Sequence, residues 1–127
     1  MTGRAAKSLA WIQGLYFLAT GLWPLFDIDS FQAVTGPKTD LWLVRTVGLL
    51  VTAIGGTLLV AAWRRHITSE LVLLAVSSAV ALAAIDLIYA LAGVIRKIYL
   101  ADAALESLLV AGWVCAWFMQ KRTPAHP

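Results

Sequence analysis

Four apolar runs, residues 9–26, 41–63, 71–95 and 103–119, take up most of a chain of 127 residues. About 20 mainly apolar residues in a helix cross a hydrocarbon core roughly 30 Å thick, and the first and last runs lie near the short limit. In lipid every backbone N–H and C=O needs an internal partner. Only helices and closed barrels provide that, and these runs lack the strict alternation of barrel strands. The expected fold is therefore all-α: one transmembrane domain over residues 1–127, an integral membrane up-down four-helix bundle. Composition agrees, since hydrophobic residues make up 61% of the chain and charged residues only 13%, about half the usual share in soluble proteins.

The N-terminus admits a second reading, because Arg4 and Lys7 precede an apolar stretch as they would in a signal peptide. No small-x-small cleavage pattern follows, and Gln13, Gly14 and Pro24 interrupt the run, so it is read as a retained helix. The lone Cys115 excludes an intramolecular disulfide and a multi-cysteine metal site. His66 falls in a connection and His126 in the tail, two spans apart, so neither a metal nor a cofactor is expected.

Basic residues near span ends set orientation. Arg4, Lys7, Arg64, Arg65, Lys121 and Arg122 fall on one side, and Lys38, Arg96 and Lys97, with Arg45 just inside the span, on the other: six against four. That balance predicts a plasma (inner) membrane protein with both termini cytoplasmic. Cations spread over the ends of four spans make no clustered basic face, which excludes nucleic acid as a partner.

The second and third connections are short, as between antiparallel neighbours. The first is longer. In "SFQAVTGP", residues 30–37, Phe31 and Val34 have helical spacing and Gly36 with Pro37 is a stop signal, which predicts one interfacial helical turn capped by Asp29 or Ser30. Thr39 or Asp40 is expected to cap the second span, with Trp42 at the interface. The other tryptophans, Trp11, Trp23, Trp63, Trp113 and Trp117, fall mostly at span ends, as in an aromatic belt.

Helices in lipid pack closely where residues are small. Gly48, Thr52 and Gly56 form such a stripe on the second span, with Arg45 on the same face; Ala75, Ala79, Ala90 and Gly93 surround Asp86 on the third. Gln13, Tyr16, Thr20 and Asp27 share a face of the first span, and Asp102, Glu106, Trp113, Trp117 and Gln120 a face of the fourth. With the ends read above, Arg45 and Glu106 lie about one turn, roughly 5 to 6 Å, below the surface, and Asp86 lies ~14 Å down. Both shallow side chains lean outward, which favours an interhelical ion pair Arg45–Glu106, with Asp40, Asp102 and Asp86 as competing partners. An ionised Asp at the depth of Asp86 costs roughly 2.5 to 3.5 kcal/mol on insertion scales. It is expected to stay neutral unless Arg45 reaches it, with Thr52, Tyr16, Thr20 and Tyr89 as hydrogen-bond partners.

Asp86 has two readings, a proton-, ion- or ligand-binding carboxyl or a carboxyl that joins two helices. Arg45 with Glu106 is either an anion site or an interhelical clamp with a snorkelling Arg, and the shallow depth favours the clamp. Trp113 is the best candidate for a pocket wall. There is no Ser-His-Asp set, no His within a span and no phosphate-binding Gly-rich loop.

The segment "WPLFDIDSFQAVTGPKTDLWLVRTVG", residues 23–48, resembles small uncharacterised four-span membrane proteins of bacteria and, more distantly, DoxX-like proteins. The DoxX resemblance implies a place beside partners, since such proteins include subunits of membrane oxidoreductase assemblies. The architecture is also similar to the four-span sterol-isomerase-like superfamily, in which acidic and aromatic residues surround a lipid-like ligand; Asp86, Glu106, Tyr16 and Trp113 would take those parts.

The function expected from the residues is small-ligand binding or an accessory role in a membrane complex, with no demonstrable catalytic motif. The expected partners are the bilayer, a small apolar or protonatable ligand, and a second copy or complex subunit. The alternatives are a proton- or cation-coupled transporter or channel component using Asp86, and an intramembrane enzyme acting on an apolar, sterol- or lipid-like substrate.

Overall fold

The computed structural model describes residues 3–122, and His126 in the tail lies outside the described residues. These residues form five helices: α1 (Arg4–Phe26), α2 (Ile28–Thr35), α3 (Leu41–Trp63), α4 (Ser69–Leu91) and α5 (Ile98–Arg122). Four of them, all but α2, are long and apolar enough to cross a membrane. The protein is an all-α, multi-pass membrane helical bundle.

Helix α2 has eight residues, two turns where one was expected, because its cap comes earlier. The Asp27 side chain accepts from Ser30 N at 3.2 Å, while Asp27 N donates to Trp23 O and closes α1. Trp23 then fastens α2 to α1: its Nε1 donates to Ser30 Oγ at 2.8 Å, and its ring meets Phe31 edge-on at 5.3 Å. Gly36, with φ of +102°, ends the helix in a conformation that suits glycine. At α3 the N-cap position belongs to Asp40, whose side chain makes no cap bond; its carbonyl accepts from Leu43 N and Val44 N.

The third span stops at Leu91, four residues short of expectation. Gly93 has φ of +77°, and Val94 N and Ile95 N fold back onto Tyr89 O. Gly93 therefore reverses the chain and does not extend the face around Asp86. The fourth span starts at Ile98, five residues earlier than expected, with Tyr99 N and Leu100 N donating to Arg96 O and Lys97 O. These two shifts change the depth of Asp86, Asp102 and Glu106.

The helices pack as two hairpins, α1 on α3 and α4 on α5, with smaller contacts between α1 and α5 and between α3 and α4. Glycines make the first pair close. A Cβ at Gly21 would lie 2.7 Å from Gly48 O, one at Gly48 would lie 2.6 Å from Gly21 O, and one at Gly55 would lie 2.7 Å from Leu18 N. The seam on α3 is thus Gly48, Thr52 and Gly55. Gly56, expected in its place, faces open space with nothing within 4 Å of a Cβ. Successive residues differ by about 100° around a helix, so a spacing of four followed by three keeps to the line better than two fours.

The hairpins join through Gln13, fully buried on α1. Its Nε2 donates to Ala75 O on α4 at 2.9 Å, and its Oε1 accepts from Trp113 Nε1 on α5 at 2.7 Å. Around this layer Ala6, Ala10, Leu58, Ala62, Val72 and Trp113 are buried together, filling the half of the bundle remote from α2. The half beside α2 is packed differently.

Gly21→Val and Gly48→Val are each expected to lower stability by about 1–3 kcal/mol through overpacking. Gly56→Val should stay within about 0.5 kcal/mol of the parent. Unfolding of the purified proteins in one detergent checks the contrast.

Candidate functional site

A cavity of about 590 Å³ occupies the α2 side of the bundle, within the usual range for small-molecule sites. All five helices contribute to its wall. Trp23, Pro24, Phe31, Val44, Val47, Val51, Leu82 and Leu105 make it mainly apolar. The polar exceptions are Tyr16 and Thr20 from α1, Thr35 and Lys38 near the end of α2, Asp86 from α4, and Tyr99, Asp102 and Glu106 from α5.

Helical spacing explains the acidic cluster. Tyr99, Asp102 and Glu106 stand at i, i+3 and i+7, so they share one face of α5. With α5 starting at Ile98, Glu106 lies about 12 Å from the helix start, two turns in where one was expected. With α4 ending at Leu91, Asp86 lies only about 7.5 Å from that end. The corrected ends move Glu106 deeper and Asp86 shallower, into one polar layer.

The layer is largely withdrawn from solvent. Asp86 is 4% exposed and Glu106 1%. Tyr16 donates its hydroxyl hydrogen to Asp102 Oδ1, tying α1 to α5. Asp86 and Asp102 stand in the same cavity wall. Asp86 Oδ2 and Glu106 Oε2 remain buried with no hydrogen-bond partner. A buried polar atom left unpaired carries the full cost of its desolvation, which sets these two oxygens apart from the other polar groups of the wall.

The expected ion pair between Arg45 and Glu106 does not form. Arg45 is exposed on α3, while Glu106 is buried on α5 with an unpartnered oxygen. The reason lies in the packing: α3 turns its glycine seam to α1, and α3 and α5 share no extensive interface. Arg45 is displaced by about 60° from Gly48 around the helix and points away from the cluster's side of the bundle.

Of the other expected site residues, Tyr16 and Thr20 line the cavity with Asp86. The Thr20 hydroxyl donates to Tyr16 O at 2.8 Å. Thr52 belongs to the seam, its hydroxyl donating to Gly48 O at 2.7 Å. Tyr89 is exposed and outside the cavity wall. Trp113 is buried in the Gln13 layer, below the cavity floor. From the sequence Asp102 shares the Glu106 face and competes for Arg45, Lys38 counts only towards orientation, and Tyr99 has no role. The spacing of Tyr99, Asp102 and Glu106 is a signal for that face, obscured when the span is started at Ala103.

The rim of the cavity is tied by cations whose charges are already engaged. Lys38 Nζ donates to Thr35 O at 3.1 Å and stands 5.0 Å over the Tyr99 ring, and Arg96 Nη1 donates to Ala33 O at 2.9 Å. Among the described residues no His, Cys, Asp and Glu group has an arrangement that could hold a metal ion. No family model matches the chain, and no curated protein or solved structure is significantly similar to it, so nothing in these comparisons bears on a DoxX-like relationship.

Arg45→Gln is expected to change stability by no more than about 0.5 kcal/mol, because its side chain has no ion pair to lose. Gln13→Leu should cost about 1–3 kcal/mol by leaving the Trp113 N–H and the Ala75 carbonyl without their partner. Thermal unfolding of both variants tests the assignment, and a larger loss at Arg45 than at Gln13 contradicts it.

Proposed function

We propose that the chain is a membrane-embedded binding protein that takes a small apolar molecule with a polar head into the α2-side cavity. One observation carries this reading: two buried, unpartnered carboxyl oxygens belong to the wall of a mainly apolar cavity of ligand size. Apolar walls favour a ligand drawn from the hydrocarbon phase, and the few polar groups orient it. A role beside other subunits of a membrane complex is compatible with the same site. The excess of basic residues on the side remote from α2 supports a plasma-membrane orientation with α2 outside and both termini cytoplasmic.

The transporter alternative draws less support from this conformation. Beyond the acidic layer the route is filled by Phe17, Leu58, Ala75, Ala79 and Trp113, all buried. That packing supports a pocket more than a path.

Native mass spectrometry of the protein extracted with its own lipids is expected to show a retained small molecule, and Val51→Trp, which fills the pocket, should remove it. A folded parent that retains nothing and binds no added apolar compound would falsify the binding reading. In intact cells a membrane-impermeant amine reagent is expected to modify Lys38 and Lys97 and spare Lys7. Modification of Lys7 alone would reverse the orientation.

A further inference from the structure

The titratable groups around the cavity are unmatched. Asp86, Asp102 and Glu106 enter it from two helices, and Lys38 is the one cation among its lining residues. Lys38 sits at the rim, where Thr35 O and the Tyr99 ring already hold it. Glu106 is seven residues beyond Tyr99 along α5, about 10 Å further into the bundle. Arg45, the other basic residue of the neighbouring span, is exposed and outside the wall.

The ligand's head must answer this arrangement. An anionic head would set further acceptors against three carboxyl groups. A neutral hydroxyl has one hydrogen to donate and leaves the carboxyls neutral, whereas an amine takes a carboxyl proton and, as an ammonium, offers several N–H donors to the carboxylate so formed. Charge-assisted hydrogen bonds of this type are about twice as strong as neutral ones. A bare metal ion would leave most of the apolar volume empty.

The wall also provides a course for an apolar chain. Leu43 and Val47 of α3 and Ile98 and Leu105 of α5 line the cavity and are about half exposed. Their helices have no extensive interface with each other. The two rows of apolar side chains give an alkyl chain a course between α3 and α5.

Resting on the binding reading above, we propose that the ligand is a lipophilic amine. Its ammonium is held by Asp86 and Glu106, and its chain lies against Val47 and Leu105 in the cleft between α3 and α5. Tyr16 serves by holding Asp102 in place, so that the two free oxygens are left for the ammonium.

The test is equilibrium binding of radiolabelled dodecylamine to the full-length protein in phosphatidylcholine nanodiscs, with empty nanodiscs as background and dodecanol and dodecanoate as competitors. Saturable amine binding is expected, with both competitors weaker by roughly tenfold or more. The double variant Asp86→Asn, Glu106→Gln should lose amine affinity by roughly tenfold or more while keeping its dodecanol affinity. Val47→Trp, which narrows the cleft and leaves the acidic cluster untouched, should also weaken amine binding, and serves if the double variant does not fold. Dodecanol or dodecanoate competing as well as the amine overturns the head-group assignment but leaves a ligand site. Amine affinity unchanged in the folded variants overturns the assignment of the amine to this cleft. Saturable binding of none of the three overturns the amine proposal, and retention of a co-purified molecule then decides whether the binding reading survives it.

Discussion

At Gly21 and Gly48 the backbones of α1 and α3 approach so closely that a Cβ on either residue would fall within 2.7 Å of the other's carbonyl oxygen. Lipid supplies no hydrophobic force between helices, so close backbone packing of this kind is a main source of association. It commits α3 to α1 along Gly48, Thr52 and Gly55. The second hairpin docks on this pair through the Gln13 layer, where one amide serves α4 and α5 at once. With α3 held to α1 and α5 held to α4, the space between α3 and α5 on the α2 side is left to the cavity.

The acidic layer follows from the same arrangement. Three carboxyl groups and a phenol come together because α4 and α5 face each other across a short connection and because α1 brings Tyr16 alongside. The seam turns Arg45 away from them. The bundle thus forms a site with apolar walls and uncompensated acceptors, in a place where water is scarce and an unpaired oxygen is costly. Such a site has its chemistry set before any ligand arrives.

Long apolar runs make the fold class and the four spans legible in the sequence, and for α3 the limits Leu41 and Trp63 coincide with the run itself. Burial of Asp86 among Ala75, Ala79 and Ala90 is equally legible, since helical periodicity places all four on one face. The depth of the charges is not, because it depends on span ends that hydropathy blurs. Val94 and Ile95 are as apolar as the helix before them, yet Gly93 has already turned the chain; Ile98 and Tyr99 follow two basic residues, yet already belong to α5. Those few residues separate a shallow Glu106 beside Arg45 from a deep one beside Asp86. Pairing is hidden for another reason: Gly55 and Gly56 are both candidates for a seam, and only the position of the neighbouring helix distinguishes them.

The Gln13 bridge bears on how the protein is made. Its donor and acceptor are both satisfied by the second hairpin, so a chain that has inserted only α1 to α3 holds a bare amide at membrane depth. That first hairpin is closed by its own glycines but is chemically unfinished, and arrival of α4 and α5 satisfies three helices at one point. The residue thus distinguishes a half-inserted chain, whose amide is unpaired, from a complete one, in which both of its polar atoms are bonded.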